Sequence, residues 1–390
     1  MTHDPVFHPW QAILEDTHAS LVRSAAGVDS SSPTEVERLR RGWSVDLVAA
    51  ALQLVQARRK AAEKFGHAEQ LLADTVGVEQ ATSLDVARHK AGRFAEHGVG
   101  RVLDLCSGIG GDAIALAEVA DVLAVEVDPV RALMTRQNVM AMTGHTPSLA
   151  VADVTTLRVS GGVFHIDPSR RKGVKRCRRI EDYQPGPAFY PHLIRQTQGG
   201  AIKLGPGVDL AALPPGEVEF ISRGGQLVQA VLWTGTMARR TRTATRVPGG
   251  HELTGQPGEP PIGPAGRYLF TVDPAVERAE LLGELCDRLN LTAIHPSLGL
   301  LTADHVVDSP WLTPFQLIES MPWREGRVRG WLGAHGAGIV EVKTRGGAVN
   351  PDVVQRRLRG DGQQAFTVFI LRHGRPIRVW ITRRVSRPQT

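Results

Sequence analysis

Four acidic side chains, Asp104, Glu126, Asp153 and Asp167, each close a short apolar run, and a glycine-rich turn follows the first of them. The turn lies in Arg101-Val-Leu-Asp-Leu-Cys-Ser-Gly-Ile-Gly-Gly-Asp112 and leads into the helix-like Ala113-Ile-Ala-Leu-Ala117. An apolar run, a Gly-rich turn and a helical segment read as strand, loop and helix. Such turns bind nucleotides. Gly108, Gly110 and Gly111 allow sharp turning and close approach of a ligand, and the free N–H groups of a helix start favour anionic groups. Glu126, in Val122-Leu-Ala-Val-Glu-Val-Asp128, comes 22 residues after Asp104, where an acid can hydrogen-bond both ribose hydroxyls.

Two cofactors fit these residues. Gly108-x-Gly110-x-x-Ala113 with a downstream acid satisfies the dinucleotide fingerprint. Asp104 favours S-adenosylmethionine instead, because a carboxylate just before the turn suits the methionine ammonium and repels a pyrophosphate. Asp153, in Leu149-Ala-Val-Ala-Asp-Val154, sits where an adenine amino group would need an acceptor, and Asp167-Pro168 closes Val163-Phe-His-Ile166. The serial order Asp-x-Cys-x-Gly-x-Gly-Gly, Glu-Val-Asp-Pro, Ala-Asp-Val and Asp-Pro-Ser resembles the class I S-adenosylmethionine-dependent methyltransferases. The resemblance implies a cofactor held by Asp104, Cys106, Ser107, Gly108, Gly110, Glu126, Val127, Asp153 and Val154, with Asp167 and Pro168 at the methyl acceptor.

The strand and Gly loop are similar to the trimethylguanosine-synthase-like, guanine-N2 group. Amine-methylating relatives carry an acid or Asn, then Pro, Pro and an aromatic at the acceptor. This chain has Asp167-Pro168-Ser169-Arg170, without the second Pro and the aromatic. Asp167 either accepts a hydrogen bond from an amine whose nitrogen becomes more positive in the transition state, or caps the loop after the fourth strand. Behind it, Arg170, Arg171, Lys172, Lys175, Arg176, Arg178 and Arg179 place seven positive charges within ten residues, at the mouth of the expected site. Their location favours phosphate contact, with Arg170, Arg171, Lys172, Lys175 and Arg176 as the RNA-binding candidates. Lys203, in Ile-Lys-Leu-Gly-Pro-Gly, is a secondary candidate for the same pocket, and Tyr183, Phe189 and Tyr190 are equally suited to stacking on a base or to loop packing.

The elements around these residues define an α/β fold: a Rossmann-like class I methyltransferase sheet with a terminal antiparallel hairpin, preceded by a helical region and followed by small α+β domains. Residues 1–95 read as helical, with Ser32-Pro-Thr-Glu35 as a helix start and Leu47, Val48, Ala51, Leu54 and Val55 at helical spacing. The basic Arg58-Arg-Lys-Ala-Ala-Glu-Lys-Phe65 is either a solvated face or a substrate contact. Thr82 or Ser83 starts a helix that should pack on the sheet and cover the cofactor's entrance. The catalytic domain spans 96–246, with Gly200-Ala-Ile-Lys-Leu204 as the fifth strand and the runs flanking Gly224-Gly225 as the hairpin. Residues 247–266 are rich in Pro and Gly and read as a linker. Beyond it, 267–320 resembles a ferredoxin-like module, with a helix over Pro274–Leu289, and 321–390 resembles the THUMP-like domain of a bacterial methyltransferase group. THUMP domains are associated with RNA binding in RNA-modifying enzymes, so the resemblance implies an RNA partner.

Charge agrees with that partner. From Met321 onward fourteen Lys and Arg face four acids, a balance of +10, whereas the whole 390-residue chain carries +6. Such asymmetry suggests a polyanion for the C-terminal part. The 42% hydrophobic and 22% charged composition is that of a soluble protein, and no apolar run of the roughly 18 residues a membrane helix needs is present. The N-terminus lacks the signal-peptide pattern, so a cytoplasmic location is expected. Cys106, Cys177 and Cys286 are too scattered for a disulfide framework or a zinc site, and no metal is expected. These readings converge on an RNA methyltransferase acting on tRNA or rRNA. A small-molecule or protein methyltransferase, and a non-catalytic RNA-binding protein that retains the cofactor pocket, are the alternatives.

Overall fold

The computed structural model describes residues 7–172, 175–177, 179–296, 298–372 and 376–385; for Phe7, Asp16, Arg171, Lys172, Lys175 and Arg176 it describes the backbone only. The chain divides into two units: residues up to Arg223 together with Val228–Arg239, and Gly224–Leu227 with the chain from Arg240 onward.

The first unit begins with six helices, α1 (Phe7–Ala12), α2 (Ala19–Ala26), α3 (Pro33–Arg40), α4 (Val45–Ala61), α5 (Thr75–Gln80) and α6 (Leu84–Glu96). Their starts follow from capping. Ser32, Ser44 and Asp74 accept hydrogen bonds from the N–H groups of Glu35, Leu47 and Gly77. Ser83 occupies the cap position of α6 without a side-chain capping bond, and the Thr82 hydroxyl donates to Asp112 Oδ2 at 2.6 Å instead. The basic end of α4 serves the fold: Arg58 donates to Leu71 O, Arg59 to Ala26 O, and the nearby Lys64 to the carbonyls of Val78, Glu79 and Ala81.

The sheet of this unit is built from β1 (Arg101–Leu105), β2 (Asp121–Glu126), β3 (Ser148–Val151), β4 (Val163–Ile166), β7 (Gly199–Leu204), β8 (Glu217–Arg223) and β9 (Gln226–Gly235). The short strands β5 (Arg171–Lys172) and β6 (Lys175–Arg176) pair only with each other, and the helices between strands are α7 (Gly111–Ala117), α8 (Pro129–Thr143) and α9 (Tyr190–Gln196). The strand order is β8-β9-β7-β4-β1-β2-β3. Neighbours from β3 to β7 run parallel and β9 runs antiparallel to β7. The hairpin β8–β9 turns at Gly224 (φ 58°) and Gly225 (φ 77°), left-handed angles that favour glycine. Every side chain of β4 and β7 is buried, as parallel strands covered on both faces require. Strand order reverses between β1 and β4, and such a switch opens a crevice at the carboxyl ends of the strands.

The N-terminal helices fall in the same unit as the sheet. The cause is direct packing and hydrogen bonding: Asn138 of α8 holds both the N–H and the C=O of Leu72, at 2.6 and 2.9 Å.

The second unit contains the antiparallel hairpin β10 (Arg242–Val247) and β11 (His251–Gly255), then β12 (Tyr268–Val272), α10 (Pro274–Arg278), α11 (Leu282–Leu289), β13 (Thr292–Ala293), β14 (Leu300–Ala303) and β15 (Leu312–Pro322). It ends with α12 (Glu325–Ala334), β16 (Ala337–Arg345), α13 (Pro351–Leu358), β17 (Gln364–Arg372) and β18 (Ile377–Arg384). Three expectations are corrected here. The stretch 247–266 is not simply a linker, because β11 pairs with β10 across Pro248-Gly249-Gly250. The helix expected over Pro274–Leu289 breaks at Glu280, whose φ of 62° no α-helix accommodates. The boundary at 320/321 falls inside β15, since β12 to β18 form one seven-stranded sheet in the order β13-β14-β12-β15-β18-β17-β16.

Val328, Leu332, Val354 and Leu358 of α12 and α13 pack against Phe366, Val368, Ile370 and Ile381, while Phe315, Phe369 and Trp380 fill a second cluster with Leu269 and Leu300. Among the described residues no helix is long and apolar enough to cross a membrane.

Candidate functional site

The loop after β1 is shaped by alternating left-handed residues: Cys106 (φ 60°), Gly108 (φ 60°) and Gly110 (φ 85°). Only the cysteine departs from glycine, and it bears the strain that L side chains meet in that region. Helix α8 pins the loop from behind. Thr135 Oγ1 donates to Gly108 O at 2.9 Å and Asn138 Nδ2 to Ile109 O at 2.8 Å. A Cβ at Gly110 would lie 3.1 Å from Thr135 Cα.

Glu126, at the end of β2, accepts from the Gly108 N–H at 2.8 Å through Oε2, and from the N–H groups of Val127 and Asp128 at 2.9 and 3.1 Å through Oε1. Burial raises its carboxyl above the usual range, and these three donors oppose the rise. Val127 beside it is exposed.

Between this loop and the ends of β1 and β4 is a cavity of about 460 Å³. Asp104, Cys106, Ser107, Gly108, Glu126, Val127, Asp167, Pro168 and Arg170 line it, as their sequence positions anticipate. Gly110 turns the chain behind the wall. Asp153 and Val154 are not part of the lining: Asp153 is exposed and caps a short 3-10 turn, accepting from the N–H and hydroxyl of Thr155. The side chains of Arg171, Lys172, Lys175 and Arg176, and all of Arg178, lie outside the described residues. Tyr183 and Tyr190 are buried loop packing, with Tyr183 Oη accepting from Gly205 N–H and Tyr190 Oη donating to Pro185 O. Phe189 is half-buried.

The wall that sequence reasoning missed is Gly77 to Thr82, a strap lying against the Gly loop. A Cβ on Gly111 would come 3.1 Å from Ala81 Cβ and 3.2 Å from the Thr82 backbone. Lys64 grips the strap from outside through its three carbonyl bonds, and burial together with Lys203 pushes its ammonium down to about 8.

Beneath the strap lies a chain of buried charges, of which Lys90, Asp112 and His165 escaped the sequence. His165 Nδ1 is 2.7 Å from Asp104 Oδ1, and its Nε2 is 3.1 Å from Lys90 Nζ. Lys90 Nζ is 2.5 Å from Asp112 Oδ1, and Lys203 Nζ is 2.5 Å from Asp167 Oδ2 and 3.9 Å from Asp112 Oδ2. His165 thus bridges Asp104 and Lys90. Burial alone would raise the Asp112 carboxyl; Lys90, His165 and Lys203 outweigh it and hold the group well below the usual carboxylate range. Burial raises the Asp104 carboxyl, against the pull of His165, and draws Lys90 down. Asp104 Oδ2 is buried with no hydrogen-bond partner among the described residues. The signals were faint but present. Lys90 falls on the apolar stripe of Ala87, Ala91 and Phe94, and His165 interrupts the apolar run of β4.

Comparison with known proteins bears on this geometry. Residues 312–384 match the THUMP domain-like family. Two chains of Mycobacterium tuberculosis, from strains CDC 1551 and H37Rv, are each described as an uncharacterized S-adenosylmethionine-dependent methyltransferase. Each is 34% identical over 348 residues, covering 85% of this chain and 94% of its own length. The crystal structure of a candidate methyltransferase from Porphyromonas gingivalis W83 shares the fold, with a TM-score of 0.69 and 16% identity over 99% of this chain and 100% of that one.

Proposed function

This chain belongs to the S-adenosylmethionine-dependent methyltransferases, and on that premise we propose that it methylates a base of structured RNA, a tRNA or rRNA, at an exocyclic amine such as guanine N2. S-adenosylmethionine, when bound, supplies a methyl group activated on a sulfonium. The residues of the cavity fit it. The observation that carries the reading is the orphaned Asp104 Oδ2, a buried carboxylate oxygen that needs a donor, on a residue that lines the same cavity as Asp167. A methionine ammonium satisfies that need. Glu126, already oriented by three backbone N–H groups, keeps lone pairs for ribose hydroxyls, and exposed Val127 offers an apolar surface to the adenine.

Charge supports the same assignment. Asp104, Glu126 and Asp167 all line the cavity, an acidic lining that favours a ligand of net positive charge. That is the charge of the methyl donor, and the demethylated product lacks it.

At the acceptor end, Lys203 holds Asp167 Oδ2 and leaves Oδ1 to accept from an acceptor N–H. Methyl transfer to a neutral amine makes the nitrogen positive, and a fixed carboxylate beside it stabilises that change. Arg170 at the cavity, the Lys/Arg-rich run behind it and the +10 balance from Met321 onward suit RNA phosphates. The THUMP domain-like match points to the same partner class.

The test is transfer of labelled methyl from S-adenosylmethionine into total RNA from cells lacking the protein. Label should enter one RNA species, be absent with Asp167→Ala, and fall by an order of magnitude or more between 50 and 200 mM salt, as binding through several phosphates requires, roughly. Absence of label from RNA of deficient and normal cells alike, with cofactor binding demonstrated, would overturn the RNA reading.

A further inference from the structure

Resting on that reading of the acceptor end, we propose that Lys203 is a positioning residue for methyl transfer: its ammonium fixes one oxygen of Asp167 and is braced by Asp112, so that the other oxygen is presented to the acceptor. Lys203 stands on β7, the strand beside β4, and is almost fully buried. A buried ammonium requires a partner. Asp112 is adjacent but committed, with Oδ1 taken by Lys90 at 2.5 Å and Oδ2 by the Thr82 hydroxyl at 2.6 Å. Lys203 stands 3.9 Å from Asp112, so its short contact is with Asp167 at 2.5 Å, and a weaker one reaches Gln80 O at 3.5 Å.

Asp167 itself is a quarter exposed at the cavity wall, where nothing else among the described residues holds its carboxylate. Around it stand Lys203 from β7, Asp112 from α7, Lys90 from α6, Cys106 from the loop after β1, Tyr190 from α9 and Arg170 from its own loop. Without the Lys203 ammonium, Asp167 faces the Asp112 carboxylate with its nearest cation gone. Its direction is then no longer fixed. The Gln80 contact also ties this lysine to the strap over the cofactor end, so one side chain touches both walls of the cavity.

The experiment uses the full chain as Lys203→Met and Lys203→Arg. Aspartate carboxyls are labelled with carbon-13, and the Asp167 resonance is identified by its loss in Asp167→Asn. In Lys203→Met the Asp167 carboxyl resonance at neutral pH should shift and broaden, because the carboxylate loses the ammonium that fixes one of its oxygens. The kcat of methyl transfer into total RNA should fall by about a hundredfold, the scale of losing one preorganised group. S-adenosylhomocysteine affinity should stay within roughly threefold, because Asp104, Glu126 and Val127 are unchanged. Lys203→Arg should restore the resonance and most of the rate. An unmoved resonance, or wild-type turnover in Lys203→Met, would overturn the proposal. If Lys203→Met does not fold, Lys203→Gln takes its place with the same expectations. The spectrum needs no RNA, so an inactive wild type with a moved resonance rejects the RNA substrate and keeps the lysine's role.

Discussion

The two ends of the cavity are built from different materials. At the proposed cofactor end the groups are largely main chain: the left-handed turns of Cys106, Gly108 and Gly110, and the three N–H groups that orient Glu126. All of it comes from one strand-loop-helix-strand unit. The proposed acceptor end is made of side-chain charges, Lys90, Asp112, Lys203 and Asp167, brought together from α6, α7, β7 and the loop after β4. His165 joins the two by touching Asp104 on one side and Lys90 on the other. A backbone site tolerates changes of charge better than added volume, whereas a charged cluster tolerates neither the loss of a partner nor an odd charge left in the interior.

The largest effect should come from breaking the cluster. Lys90→Met leaves Asp112 buried without its closest cation and should destabilise the protein by about 3–5 kcal/mol, measured by urea unfolding. Adding Asp112→Asn removes the stranded charge and should recover much of that loss. A Lys90→Met protein as stable as wild type would mean that the acceptor end is held by packing, as the cofactor end is by its backbone.

Gly110→Ala probes the other material. With φ at 85° and a new Cβ about 3.1 Å from Thr135 Cα, it should lower stability by roughly 1–3 kcal/mol and weaken S-adenosylmethionine binding, although no charge has changed. Full cofactor affinity in that variant would contradict a backbone-built pocket. The smallest of the three is Glu126→Gln, which keeps the shape but cannot accept all three N–H bonds. It should weaken the cofactor by about tenfold, the equivalent of one charge-assisted hydrogen bond, and calorimetric titration would read it directly.

The same division explains what the sequence disclosed. The Gly loop, Asp104, Glu126 and Asp167 follow from residues close in the chain, because strand, turn and helix geometry is local and leaves Gly and terminal acids at fixed places. Parallel strands and the Gly224-Gly225 hairpin were legible for the same reason. Lys90 and Lys203 are 113 positions apart, and no local pattern says that both reach Asp112. Asp153 lies after β3 as Glu126 lies after β2, but it is not among the residues that line the cavity. Its Oδ1 accepts from the N–H and hydroxyl of Thr155 in a short turn. The merging of two small α+β modules into one sheet was hidden because the pairing of β15 with β18 joins segments more than fifty residues apart.

The central claim is that Asp104 serves the cofactor and Asp167 serves the acceptor. Calorimetric titration of S-adenosylmethionine into wild type, Asp104→Asn and Asp167→Asn tests it directly. Asp104→Asn should bind about a hundredfold more weakly, since it loses the carboxylate that meets the ammonium, and Asp167→Asn should remain within roughly threefold of wild type. Equal losses in both variants, or wild-type affinity in Asp104→Asn, would contradict the division of the cavity into two ends.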